Sequence, residues 1–296
     1  MVQKGYIMVL FEDRAAIVLY NVLVNIPQKK FLLPLNVCPI VPDTFLKAKK
    51  EFEFIDISLD TLCMDKKLIE QSLKNDPSID GLLFVYTFGI TLQMQSFYKE
   101  IKELRKDIFI IDDMCPCIQR FDYDIRNSYA DMALFSSGYS KFVDLGYGGY
   151  GFVKDDLFTN IFEDKEQKRE FLNYKKELIT KIPQMLEHKE KLNNIYKKII
   201  PKELYLGSQF NRWRFSILVD NKEEILEKIF EIDGLFASSH YPQVDYAYVD
   251  NAQINTNTDK IHKQIVNLFN DFRFNEEKAL MVANIVRNLY KKGGNI

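Results

Sequence analysis

Two rhythms of apolar residues alternate along the first half of this chain. Phe31 to Pro34, Phe52 to Ile57, Gly81 to Phe88 and Ile108 to Asp112 are short, nearly continuous apolar runs, and between them lie longer segments whose apolar residues recur at helical spacing. Runs of the first kind read as strands buried on both faces of a sheet, and segments of the second kind as helices laid over it. The spacing predicts helices near Pro42 to Lys50, over Asp65 to Lys74 and over Gln93 to Arg105. It also predicts a first helix from Phe11 to Ile26, whose opening acids Glu12 and Asp13 suit the positive end of a helix dipole. Strands and helices taking turns in this way build a mostly parallel central sheet flanked by helices, an α/β fold. One more apolar run empties into Ser136, Ser137, Gly138, Tyr139, Ser140 and Lys141 and leads to the glycine-rich stretch Leu145 to Val153.

Beyond residue 160 the texture changes. Phe162 to Ile200 is charge-rich and reads as one long helix, or as two with a break at Pro183. A strand is expected over Arg212 to Val219, a helix over Lys222 to Ile232, a strand over Leu235 to Ser239, and helices over Asp259 to Asn270 and Glu276 to Lys291. That order describes a smaller C-terminal α+β domain, so the chain divides into a large domain of residues 1–160 and a small one of residues 161–296 that includes the linking helix. No internal repeat or low-complexity tract interrupts either part.

Composition narrows the partners. With 296 residues and 47% of them hydrophobic, the chain can bury a large core. A net charge of −2 and a pI near 6.0 give no basic field, which argues against nucleic acid or an anionic membrane as the main partner. No apolar run is long enough to span a bilayer, so no membrane insertion is expected. Four cysteines (Cys38, Cys63, Cys115, Cys117) without a signal-peptide pattern point to the reducing cytoplasm. Cys115-Pro-Cys117 has neither redox spacing nor a matching Cys/His pair, so no metal site is expected.

The polar residues just past buried strands are the place to look for chemistry, because open α/β sheets bind ligands at strand C-termini. Lys141, in a Gly/Ser-rich loop, suits an aldehyde cofactor, since an amine of depressed pKa condenses readily with an aldehyde. An aspartate at a neighbouring strand end suits a pyridinium nitrogen, which a carboxylate keeps protonated; Asp113 is preferred for this over Asp112. The Ser136 hydroxyl and the helix start around Asp13 to Ala16 suit a phosphate. Each residue also has an ordinary reading: a loop lysine at the surface, an aspartate capping a helix, a histidine such as His240 packing or capping rather than touching substrate.

Four segments in order, VYTFG (Val85 to Gly89), FIIDD (Phe109 to Asp113), SSGYSK (Ser136 to Lys141) and LGYGG (Leu145 to Gly149), resemble the motif series of the DegT/DnrJ/EryC1/StrS family, the sugar aminotransferases of PLP-transferase fold type I. RWRFSILVDNKEEILEKI and SSHYPQV resemble that family's small domain, so the likeness covers most of the chain. It implies pyridoxal 5'-phosphate as cofactor, Lys141 as the residue that carries it and moves the proton, Asp113 at the ring nitrogen and Ser136 at the phosphate. The family's Ser-Gly-Thr phosphate turn is replaced by Glu12-Asp13-Arg14, which hands the phosphate to Arg14 and the backbone of Arg14 and Ala15. Cys38 stands where many members place a stacking aromatic, and Pro116 where they place Gln or His. Tyr86, Tyr139, His240 and Tyr241 are the implied pocket wall. The implied reaction moves an amino group from a glutamate-like amino acid to a keto-sugar nucleotide, in surface polysaccharide or related sugar biosynthesis, by a cytoplasmic homodimer. Two other readings stay open: a PLP decarboxylase or transaminase acting on a small phosphorylated amino acid or ketone, and a non-catalytic relative that has lost PLP.

Overall fold

A computed structural model describes residues 8–154, 164–210 and 213–293. The apolar runs form a seven-stranded sheet of β1 (Met8–Glu12), β2 (Lys30–Pro34), β3 (Glu51–Ile55), β4 (Gly81–Val85), β5 (Phe109–Asp113), β6 (Met132–Ser136) and β7 (Gly149–Val153). Their spatial order is β1-β7-β6-β5-β4-β2-β3. The strands from β3 to β6 pair in parallel, and β7 runs antiparallel to both its neighbours.

Side chains along a strand alternate between faces, and the sheet is covered on both. Phe31, Leu33, Leu83, Val85, Ile111 and Leu134 pack beneath α1 (Ala15–Asn25) and α2 (Ile40–Lys47). Leu32, Leu82, Phe84, Ile110, Ala133 and Phe135 take the other face, under α3 (Lys66–Asn75) and α4 (Gln95–Leu104). The alternation also settles the acid pair: Asp113 follows Ile111 toward α1 and α2, and Asp112 follows Ile110 into the opposite core.

Past residue 160 come α5 (Lys165–Ile199), β8 (Phe215–Leu218), α6 (Lys222–Phe230), β9 (Ala237–Ser238), α7 (Asn257–Gln264), β10 (Ile265–Leu268) and α8 (Glu276–Gly293). The strands form a three-stranded antiparallel sheet in the order β8-β10-β9, with a core of its own. No helix among the described residues is long and apolar enough to cross a membrane.

Two sequence expectations are corrected, and one left open, a single helix or two around Pro183, is decided for the single helix. Phe11 and Glu12 belong not to the first helix but to β1, because Leu10 to Glu12 pair with β7, and the helix starts at Ala15. Asp259 to Asn270 is not one helix: Ile265 to Leu268 leave it to pair with strands on both sides and are fully buried. A short apolar run with β-branched residues fits either structure locally, and here the two partner strands decide. At Pro183 the chain does not break, since α5 runs straight through it. That proline sits on an exposed face, where water can satisfy the carbonyl it leaves unpaired. The expected starts at Phe162 and Arg212 lie outside the described residues.

The boundary at residue 160 separates the two sheets but not the two cores. Phe171, Tyr174 and Leu178, from the first half of α5, belong to the large sheet's core, whereas Leu192 and Tyr196 belong to the small one. Residues 243–258 also return to the large sheet. Val244 N–H donates to Leu35 O (3.1 Å), and Asp56 accepts from the backbone N–H of Asn257 (2.6 Å) and Thr258 (3.0 Å).

Candidate active site

The C-terminal ends of β4, β5 and β6, the start of α1 and residues 36–44 enclose a cavity of about 430 Å³, and Tyr241 from the C-terminal part closes one side. This is the strand-end position at which open α/β sheets hold ligands.

Asp113 reaches the cavity because it is the last residue of a fully buried strand and its side chain turns to the α1 face. Its Oδ1 accepts from the Cys115 N–H (2.9 Å), and the Cys115 thiol also hydrogen-bonds the carboxylate, so Cys115 fixes its orientation. Burial raises its pKa; the bond from Cys115 and the nearby Lys141 oppose that.

Lys141 enters from the loop after β6. Its N–H closes a turn onto Gly138 O (3.2 Å), while Asp144 accepts from the N–H of Ser140 (2.8 Å) and of Gly146 (2.9 Å). The glycines that follow are steric requirements. A Cβ at Gly149 would stand 2.1 Å from Ala15 N, and one at Gly148, where φ is +91°, would stand 2.3 Å from the Tyr174 ring. They let β7 start against the first turn of α1, which brings the lysine loop and the helix start together.

The Lys141 ammonium has no hydrogen bond or ion pair to any described residue. Its pKa corrects the expected depression: burial lowers it, but Cys115, Tyr241, Asp113 and Cys38 outweigh burial and the net direction is up. Burial lifts the Cys115 thiol well above its ordinary range and Tyr241 to about 12, so both are neutral at pH 7 and Asp113 supplies the standing negative charge. At that pH burial and the one Asp113 carboxylate pull the Lys141 amine in opposite directions.

At the other end of the cavity Arg14 is the N-cap residue of α1, in extended conformation, and its side chain caps nothing. The guanidinium lies beside Gly138, 3.6 Å from where a Cβ there would be, as is the Ser136 hydroxyl, which accepts from Gly138 N–H (3.3 Å). Arg14, Ser136 and the first amides of α1, beginning with Ala15, thus converge on one spot. A helix N-terminus with a free guanidinium and a hydroxyl is a site for a phosphate dianion.

The other expected residues divide. Cys38, exposed, and Tyr139, 72% exposed, both line the cavity, as do Tyr241 and Pro116. Tyr86 does not; it faces the opposite core, where its hydroxyl donates to Asp112 (3.1 Å). His240 does not line the cavity either. It stands edge-on to Trp213, its carbonyl accepts from Asn267 (3.0 Å), and burial together with Arg214 lowers its pKa, so it is neutral. Trp213 is buried, and its ring stacks on Tyr241 at 5.7 Å.

Sequence reasoning missed two residues. Gln119 is buried and ties the site loops together, its amide donating to Ser136 O (2.7 Å) and Val143 O (3.2 Å). Asn36 is buried against the cavity with its amide donated to Leu62 O (2.9 Å) and Oδ1 unpaired. Neither position carries a local pattern that would have marked it.

No protein-family model matches the sequence, and no curated protein does. Solved structures resemble it along nearly its whole length. PseC of Helicobacter pylori, an aminotransferase involved in pseudoaminic acid biosynthesis, superposes with a TM-score of 0.76 at 15% identity, over 96% of this chain and 87% of that one. DesI, solved with its TDP-sugar product, gives 0.77 at 13% identity over 96% and 81%. The sugar aminotransferase CalS13 of Micromonospora echinospora gives 0.74 at 12% identity over 95% and 87%. At such identities the likeness is one of architecture: this chain has the fold of the PLP-dependent sugar aminotransferases.

Proposed function

We propose that this chain is a pyridoxal 5'-phosphate-dependent aminotransferase of the DegT/DnrJ/EryC1/StrS type, moving an amino group from a glutamate-like amino acid to a keto-sugar nucleotide. One observation carries the reading: Lys141, Asp113 and the Arg14–Ser136 cradle open onto a single cavity. Pyridoxal phosphate, when bound, supplies an aldehyde and a ring that accepts electrons. Toward it Asp113 would offer its carboxylate to the ring nitrogen and keep that nitrogen protonated. Arg14, Ser136 and the amides at Ala15 would hold the phosphate. Cys38 offers a small, polarisable surface against a ring, with less area than an aromatic side chain.

Lys141 would hold the cofactor, and its amine would take a proton from substrate and return it. Val85, Leu134, Pro116 and Tyr241 make the walls largely apolar, which excludes water from the proton transfer. The sugar-nucleotide acceptor is carried over from the relatives, of which DesI was solved with a TDP-sugar product and PseC is involved in pseudoaminic acid biosynthesis. The exposed Tyr139 and Cys38 leave the mouth open to a large acceptor. By the same reading the enzyme works in the cytoplasm as a homodimer.

The test is a spectral titration of the purified protein with pyridoxal phosphate, followed by turnover with a panel of amino donors against keto-sugar nucleotides and small phosphorylated ketones. A new absorption band that amino acids discharge, with sugar acceptors regenerating it, is the expected result. Turnover of small phosphorylated ketones alone would move the substrate assignment, and failure to form any band would remove the enzyme assignment.

A further inference from the structure

The residue before Lys141 is held in a way that its own loop does not explain. Ser140 has φ +64°, in the left-handed region that costs a non-glycine residue about 1–2 kcal/mol. Its N–H is tied locally to Asp144, but its other two polar groups are held from the far end of the sequence. Trp213 Nε1 donates to Ser140 O (2.7 Å), and Arg214 Nη2 donates to Ser140 Oγ (2.9 Å).

Arg214 is itself an expensive residue to place there. It is 2% exposed, lies 3.8 Å from the Phe269 ring centroid, and has its Nε unpaired. Its charge is met by Asp271, which also takes Arg273 through both carboxylate oxygens and which these two cations hold far below the usual carboxylate range despite burial. Lys189, fully buried, braces the same segment by donating to Trp213 O (2.8 Å) and Asn270 Oδ1 (2.8 Å). A buried guanidinium that spends one arm on Asp271 and the other on a strained serine fixes that serine's conformation from the small sheet.

We propose that Arg214 and Trp213 are positioning residues: through Ser140 they hold the Lys141 backbone, and so the small lobe sets where the reactive amine points. This builds on Lys141 as the working amine of the proposed enzyme, and it is tested without cofactor. The purified full-length chain is treated with limiting acetic anhydride, and peptide mass spectrometry compares Lys141 with the exposed Lys67. In the wild type Lys141, partly buried in the cavity, is expected to acetylate more slowly than Lys67. Ser140→Gly keeps the left-handed backbone without strain and removes only the hydroxyl that Arg214 grips at 2.9 Å and Arg273 Nη2 reaches at 3.5 Å, so it is expected to fold with an unchanged melting temperature. It should raise Lys141 labelling about tenfold, the equivalent of one charge-assisted hydrogen bond, with Lys67 unmoved. Arg214→Gln should raise it at least as far.

Wild-type labelling of Lys141 in both variants overturns the positioning role, and so does a rise shared equally by Lys67, which would report general loosening. Titration of the same samples with pyridoxal phosphate separates this claim from the reaction. If the wild type takes up no cofactor while Lys141 is shielded in it and freed in Ser140→Gly, the reaction assignment falls and the positioning stands.

Discussion

Asp112 and Asp113 are adjacent on β5 and share almost nothing else. Asp113 faces α1 and α2, opens onto the cavity and is held by the N–H and thiol of Cys115. Asp112 faces the other core, where the hydroxyls of Tyr86, Tyr98 and Tyr123 all donate to it. Burial lifts both carboxyls, Asp112 to about 6 although the three phenols pull it down. A saturated carboxylate is structural, because nothing remains with which to meet a ligand. The Asp113 carboxylate, fixed by one neighbour, opens onto the cavity that Lys141 also lines.

The comparison can be broken by mutation, and the largest effect is expected on the cavity side. Lys141→Ala should abolish the cofactor absorption band and lower turnover by at least about a thousandfold, with the fold intact by circular dichroism. An unchanged band in that variant would place the cofactor elsewhere. Asp113→Asn should cost about a hundredfold or more in turnover while some pyridoxal phosphate still binds and the melting temperature holds. Full activity there would hand the ring nitrogen to another group.

On the opposite face the signs reverse. Asp112→Ala leaves three buried phenols without an acceptor and should lower unfolding free energy by about 3 kcal/mol in a urea titration, with turnover per folded molecule preserved. A variant equally stable but inactive would merge the two acids into one site. Arg14→Ala should weaken pyridoxal phosphate about tenfold, which fluorescence titration would read; unchanged affinity would remove Arg14 from the phosphate cradle.

The smallest effect is on pH. With the Asp112 carboxyl raised from 3.8 to about 6, the folded state holds a proton that the unfolded chain has released between those values. Its contribution to stability is present below pH 4 and is lost as pH rises through 6. Asp112→Asn, neutral throughout, should flatten that fall in urea midpoints measured from pH 4 to 7. The same slope in wild type and variant would assign the titration to another group.

The difference between the two acids was half legible in the sequence. FIIDD says that a buried strand ends in two carboxylates, and the alternation of side chains says that they part company. Which one meets a ligand follows from what packs on each face. Tyr86 shows the limit: it stands at a strand end like a site residue, yet it turns to Asp112 because the face it occupies is the α4 side. The lysine's environment was misread for a related reason. Burial alone lowers an ammonium's pKa, but the acidic groups around Lys141 come from other segments, and their sum decides the direction.

By itself the sequence determined the strand runs, the parallel character of the large sheet and the chemistry-bearing ends at Asp113, Ser136 and Lys141. All of these depend on side-chain period and short spacing, which are local. Only the tertiary structure decided that β10 is a strand, which of the four implied wall residues line the cavity, and that Trp213 and Arg214 grip Ser140 across 73 and 74 positions of chain. Those contacts depend on which distant surfaces the two cores bring together, and no local periodicity encodes that.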